Sequence, residues 1–151
     1  MLKWTETHIE LQNLMKKEIE AMRRLLGNLH QEEVFILQKN PSLIKDLLEE
    51  RIRLISDLSL IRQRRESTIE KLSDTTCLPL SNLEELLPTE NENSWEMVIL
   101  RDQILSLLDH IHLQKSRNEM LIHLEAYQPA AKKKKKISIA TLSPDDYNDV
   151  A

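Results

Sequence analysis

Residues 94–127 read SWEMVILRDQILSLLDHIHLQKSRNEMLIHLEAY. Leu100, Ile104, Leu107, Leu108, Ile111 and Ile122 recur at helical spacing and form one apolar stripe. Trp95, Val98, Ile99, Leu113 and Leu124 fall on another side of the same helix. An apolar arc this wide has two readings. In one, this helix is central and packs against two others. In the other, the second stripe is an open groove for a partner. Ser94 ahead of Trp95-Glu96-Met97 is the expected N-cap, with an acid in the first turn to suit the helix dipole. Pro129 is the expected stop.

The same periodicity extends toward the N-terminus. In residues 2–38, Trp4, His8, Leu11 and Met15 are followed after a stutter by Ile19, Met22, Leu26 and Leu29. Gly27 is the only glycine in 151 residues and is expected to sit under a crossing helix. Asn40-Pro41-Ser42 ends that helix, and Ser42 can cap the next through its hydroxyl. The second helix, 43–72, shows Ile44, Leu47, Leu54, Leu58, Ile61 and Leu72, with Arg51 and Arg65 on the same seam. Those arginines are expected to pack their stems and send their heads to solvent. The short break predicts antiparallel neighbours. Pro79 and Pro88 bracket a short amphipathic helix at 80–87, started by Ser81 or Asn82, and 89–94 reads as a hinge or loop. The expectation is an all-α, elongated antiparallel bundle of three long helices and one short one over residues 1–128. Residues 129–151 form a tail, basic then acidic, expected to be disordered when free.

Composition narrows the function. Leucine and isoleucine supply 41 residues, and aromatics only 3%. With one glycine there is no phosphate loop and no dinucleotide fingerprint. Cys77 is the sole cysteine, so no intrachain disulfide forms, and a buried or idle thiol is its default. None of the five histidines has the spacing of a helical zinc pair; His110 and His112 point to different faces. Glu32-Glu33 and Glu49-Glu50 read as solvated faces. These readings predict no enzyme, no cofactor and no metal. Residues 1–127 carry a net charge of −6 and residues 128–151 carry +2. A nucleic-acid binder places its positive charge on the folded part, so specific nucleic-acid binding is not expected. No apolar run approaches the roughly 20 residues of a membrane span, and the first ten residues lack the apolar core of a secretory signal. A cytoplasmic protein, monomeric or homodimeric, fits.

Lys45-Asp46-Leu47-Leu48-Glu49-Glu50-Arg51 with Arg62-Gln63-Arg64-Arg65, the linker 80–88, and Arg117-Asn118-Glu119-Met120-Leu121-Ile122 running to Tyr127 together carry a resemblance. Over about residues 5–128 the order of parts resembles the FlgN family, the cytoplasmic chaperones of flagellar type III export. The resemblance implies a non-enzymatic chaperone that keeps hook–filament junction-like substrates soluble by their helical ends. Delivery then follows to the export apparatus, with its ATPase or gate as a further partner. The runner-up is a structural coiled-coil adaptor or stalk subunit with a basic docking tail. Candidate client contacts are Ile111, Asn118, Met120, Leu121 and Leu124 on the last helix. In the tail they are Lys132, Lys133, Lys134, Lys135 and Lys136, which steer an acidic client, and Ile137, Ile139 and Leu142, which add apolar contacts. Asn118 lies seven residues beyond Ile111 on an apolar seam. It reads chiefly as a register-setting amide, so Asn118→Leu is expected to stabilise the bundle while loosening its uniqueness.

Overall fold

Three long helices form the protein: α1 (Glu6–Leu37), α2 (Ile44–Leu72) and α3 (Glu92–Ala126). The structure is a computed structural model and describes residues 2–73 and 78–126. Cys77 and the whole of 129–151 lie outside the described residues. Among the described residues there is no strand, and no helix is long and apolar enough to cross a membrane. The all-α expectation holds, and each long helix begins and ends within a few residues of its predicted bounds.

Helix direction follows from the ion pairs. Arg65 of α2 meets Glu18, and Arg51 meets Glu32, so α2 runs antiparallel to α1. Lys16 meets Glu96, while Asn118 reaches Glu32, so α3 runs parallel to α1 and antiparallel to α2. The central helix is α1, which packs against both α2 and α3. This corrects the reading that made the last helix central. The reason is visible in α1, where Leu11, Leu14, Met15, Ile19, Met22, Leu25 and Leu29 are all buried over a broad arc. One flank of that arc takes α2 and the other takes α3.

Breaks between helices have local causes. After Gln38 the chain turns through Lys39 at φ 54°, and the Asn40 and Lys39 amides donate to the Phe35 and Ile36 carbonyls. That is a Schellman closure with lysine in the left-handed position. Pro41–Leu43 then makes one 3₁₀ turn into α2. Ser42 does not cap α2; its hydroxyl donates to Asn40 Oδ1 at 2.7 Å. The expected short helix is a 3₁₀ helix, Leu80–Leu86. A 3₁₀ helix repeats every three residues. Leu80, Leu83 and Leu86 therefore stack on one face, and all three are buried in the main core. Asn91, not Ser94, caps α3: its Oδ1 accepts from the Asn93 amide at 2.9 Å. Ser94 falls inside the first turn, buried, its hydroxyl without a hydrogen-bond partner.

At this same end of the core, His8 takes the place usually held by Glu or Gln in a capping box. Its Nδ1 accepts from the Thr5 amide at 3.0 Å. Its Nε2 lies 2.9 Å from the Leu86 carbonyl oxygen, so Nε2 carries the proton and donates it. One neutral imidazole thus caps α1 and fastens the 3₁₀ helix to it, with Trp4 stacked on its ring at 5.0 Å.

Gly27 corrects its expectation. No helix crosses it, and a Cβ built there meets nothing within 4 Å. Its φ is not positive, so glycine serves no conformational need. Gly27→Ala is expected to stabilise the protein by about 0.5–1 kcal/mol through the unfolded state. Urea denaturation reads this as a higher midpoint at unchanged slope.

Candidate functional site

Two features of the bundle carry specificity, one inside and one outside. The inner feature is a polar seam. Glu18 and Arg65 form a two-pronged pair at 2.7 and 3.0 Å, with both side chains buried. Two heptads further along α1, Glu32 meets Arg51 at 3.1 Å, also buried. The arginine heads therefore do not reach solvent, and Glu32 does not lie on a solvated face. Each charge finds its opposite inside the α1–α2 seam, which is the arrangement a buried ion requires.

Around Glu32 the seam becomes a junction of all three helices. Arg51 Nε donates to Asn28 Oδ1 at 2.8 Å, and Asn28 Nδ2 donates to the Leu47 carbonyl at 2.9 Å. Asn118 Nδ2 donates to Glu32 Oε1 and to the Leu29 carbonyl, both at 2.8 Å. Gln114 Nε2 donates to Asn118 Oδ1 at 2.9 Å. Beside this network Glu33 accepts from Arg117 and Gln114. Burial acts to raise the Glu33 carboxyl, but those hydrogen bonds outweigh it and hold the group below the usual carboxylate range.

The outer feature is the far side of α3. Its inner stripe, Met97, Leu100, Ile104, Ile111 and Ile122, is buried. Trp95, Ile99, Leu113, Met120 and Leu124 are 57–72% exposed. At about 100° per residue these five fall within one sector, roughly opposite the buried stripe. Four of the five residues of the second stripe seen in the sequence, Trp95, Ile99, Leu113 and Leu124, thus lie on an open face, while Val98 is half-buried against the core.

The candidate client residues divide accordingly. Met120 and Leu124 lie on the open face, and Leu121 is half-buried at its edge. Ile111 is fully buried and Asn118 is 2% exposed, both turned toward the bundle interior. Their geometry is that of core residues. Lys132 to Lys136, Ile137, Ile139 and Leu142 lie outside the described residues. Trp95, Ile99 and Leu113 complete the face, and their separate periodicity is the signal that finds them. At the start of α3, Arg101 donates to the Ser81 carbonyl and to Glu84 and Asp102, which locks the 3₁₀ helix beside Trp95.

A shallow groove between α1 and α2 is lined by Glu10, Asn13, Lys17, Leu60, Arg64 and Lys71. It is a strip of mixed charge. Among the described residues no three His, Cys, Asp or Glu side chains are placed to hold a metal ion. Comparison with known proteins gives no match: no family model fits the chain, and no curated protein or solved structure is significantly similar to it.

Proposed function

We propose that this protein is a cytoplasmic, non-enzymatic chaperone of a type III or flagellar export system. It holds the helical end of an export substrate along the outer face of α3 and delivers it to the export apparatus. The single observation that carries this reading is the exposed stripe Trp95, Ile99, Leu113, Met120 and Leu124. An apolar row on a helix already anchored by its other side is suited to a further amphipathic helix. Burying each aliphatic side chain there contributes roughly 1.5–3 kcal/mol, less the cost of ordering the client. The FlgN-like order of charged helix, short linker and Asn118-centred ending supports the same reading. Release needs no nucleotide, because a competing contact at the export gate suffices.

The test is titration of the full chain with helical terminal segments of hook–filament junction-like proteins, read by tryptophan fluorescence and calorimetry. Saturable binding is expected. Met120→Asp with Leu124→Asp should weaken it at least about tenfold while circular dichroism stays unchanged. Truncation after Gln128 should leave folding intact and weaken binding. Replacing Lys132–Lys136 with serine should mainly slow association. No binding by any such segment would overturn the reading in favour of a structural coiled-coil adaptor.

A further inference from the structure

The open face of α3 reads the same from both ends. Trp95, Ile99, Asp102 and Ser106 are spaced by four, three and four residues. Leu113, Arg117, Met120 and Leu124 repeat four, three and four. All eight are exposed. We propose that this face pairs with the same face of a second copy of the chain, antiparallel, about a twofold axis between Asp109 and His110.

In that register Trp95 lies opposite Leu124 of the second copy, and Ile99 opposite Met120. Asp102 lies opposite Arg117, and Ser106 opposite Leu113. Asp109 and His110 meet at the axis. Each pairing occurs twice, as an isologous interface demands. Three of the four layers on each side join apolar residues or a small residue to an apolar one. The fourth joins opposite charges, and it is the one that sets direction. A parallel, in-register pair would set Asp102 against Asp102 and Arg117 against Arg117. Within one chain Asp102 accepts from Arg101, and Arg117 donates to Glu33. Both side chains are nonetheless more than 60% exposed, so each can be shared across the interface.

The spacing matches an antiparallel coiled coil, where four-three steps keep one seam in contact. The seven-residue step from Ser106 to Leu113 inserts a stutter at the axis, which unwinds the supercoil there and lets two straight helices lie side by side. The overlap from Trp95 to Leu124 spans about 45 Å at 1.5 Å per residue.

This inference does not rest on the chaperone reading. If both hold, a client helix and a second copy compete for one face, and self-pairing covers the apolar row when no client is present.

Sedimentation of the full chain over a range of concentrations tests it. A reversible dimer is expected. Asp102→Arg alone and Arg117→Asp alone should each weaken the dimer at least about tenfold, and the two together should restore it. Circular dichroism of each variant separates lost pairing from lost folding. On a Cys77→Ser background, Trp95→Cys mixed with Leu124→Cys should form a crosslinked dimer on oxidation, and neither should do so alone. A monomer at every concentration overturns the proposal and leaves the face to a partner helix. Crosslinking of Trp95→Cys to itself, or a double charge variant weaker than both singles, overturns the antiparallel register.

Discussion

Arg65→Leu should lower the unfolding free energy by roughly 3–5 kcal/mol. The arginine meets Glu18 through two hydrogen bonds, and the Glu18 side chain is fully buried. Removing Arg65 takes from a fully buried carboxylate the arginine that gives it two hydrogen bonds, inside the core where such a loss costs most. The double change Glu18→Leu with Arg65→Leu should behave in the opposite way. It removes both desolvation penalties and fills the seam with apolar volume, and is expected to be neutral or to stabilise by up to about 4 kcal/mol. Urea unfolding of the two single variants and the double variant gives the coupling directly. A cost below about 1 kcal/mol for Arg65→Leu would mean that Glu18 is hydrated and the seam is wet.

The pair serves placement more than stability. Along α1 the seam reads Leu11, Glu18, Leu25, Glu32, one residue per heptad. Along α2, in reverse, it reads Leu72, Arg65, Leu58, Arg51. Leucine stands opposite leucine, and glutamate opposite arginine. A slip of one heptad would put Glu18 against Leu58 and Arg65 against Leu11, or, in the other direction, Glu18 against Leu72 and Arg65 against Leu25, burying charges against leucine. Every other apolar layer of the seam would survive such a slip. The ion pairs are what forbid it.

That alternation shows which parts of the fold were legible in the sequence. The helices were, because proline breaks and helical spacing are local. Pro41 and the 79–91 stretch divide the chain, and most of the stripe residues identified on α1 and α2 from spacing are buried, although Trp4, Leu26, Ile61 and Leu72 are only half-buried and the core also takes Leu14, Leu25 and Ile69 from outside those stripes. The partners of the stripes were not legible, because burial belongs to pairs of helices. Arg51 by itself looks like a residue that sends its head to water. Glu32 next to Glu33 looks like part of a wet face. Only the matching interval of two heptads between Glu18 and Glu32, and between Arg51 and Arg65, marks them as a set. The central place of α1 was hidden for a related reason. Both α1 and α3 have wide apolar arcs, but the one on α1 is continuous and takes two neighbours. The arc on α3 is split into opposed stripes, and one of them stays open. Asn91 was missed as a cap because Ser94 is an equally good capping type, and the choice fell to the backbone of Glu90, which turns at φ 59°.

Asn118→Leu should lower stability by roughly 1–3 kcal/mol, the reverse of what an asparagine on an otherwise apolar seam suggests. The amide does not face a second asparagine across a coiled coil. It gives both of its Nδ2 hydrogens to α1, one to Glu32 and one to the Leu29 carbonyl, and accepts from Gln114 through Oδ1. Leucine would leave Glu32 with Arg51 alone, on a carboxylate whose Oε2 already lacks a hydrogen-bond partner. It would also deprive the buried Gln114 of an acceptor. The loss should fall mainly on the attachment of α3, since the Glu18–Arg65 pair does not involve Asn118 and Glu32 keeps its pairing with Arg51. Amide hydrogen exchange is the discriminating measurement. Protection should drop first along the second half of α3, with α1 and α2 keeping theirs. An Asn118→Leu protein that is more stable, or that loses protection evenly over all three helices, would show that the amide merely fills space. Asn118→Asp separates the two roles further. It keeps the shape of the side chain but sets a carboxylate against Glu32, so it should be worse than leucine at neutral pH. It should recover as acid protonates the pair, because a shared proton can then restore the hydrogen bond to Glu32.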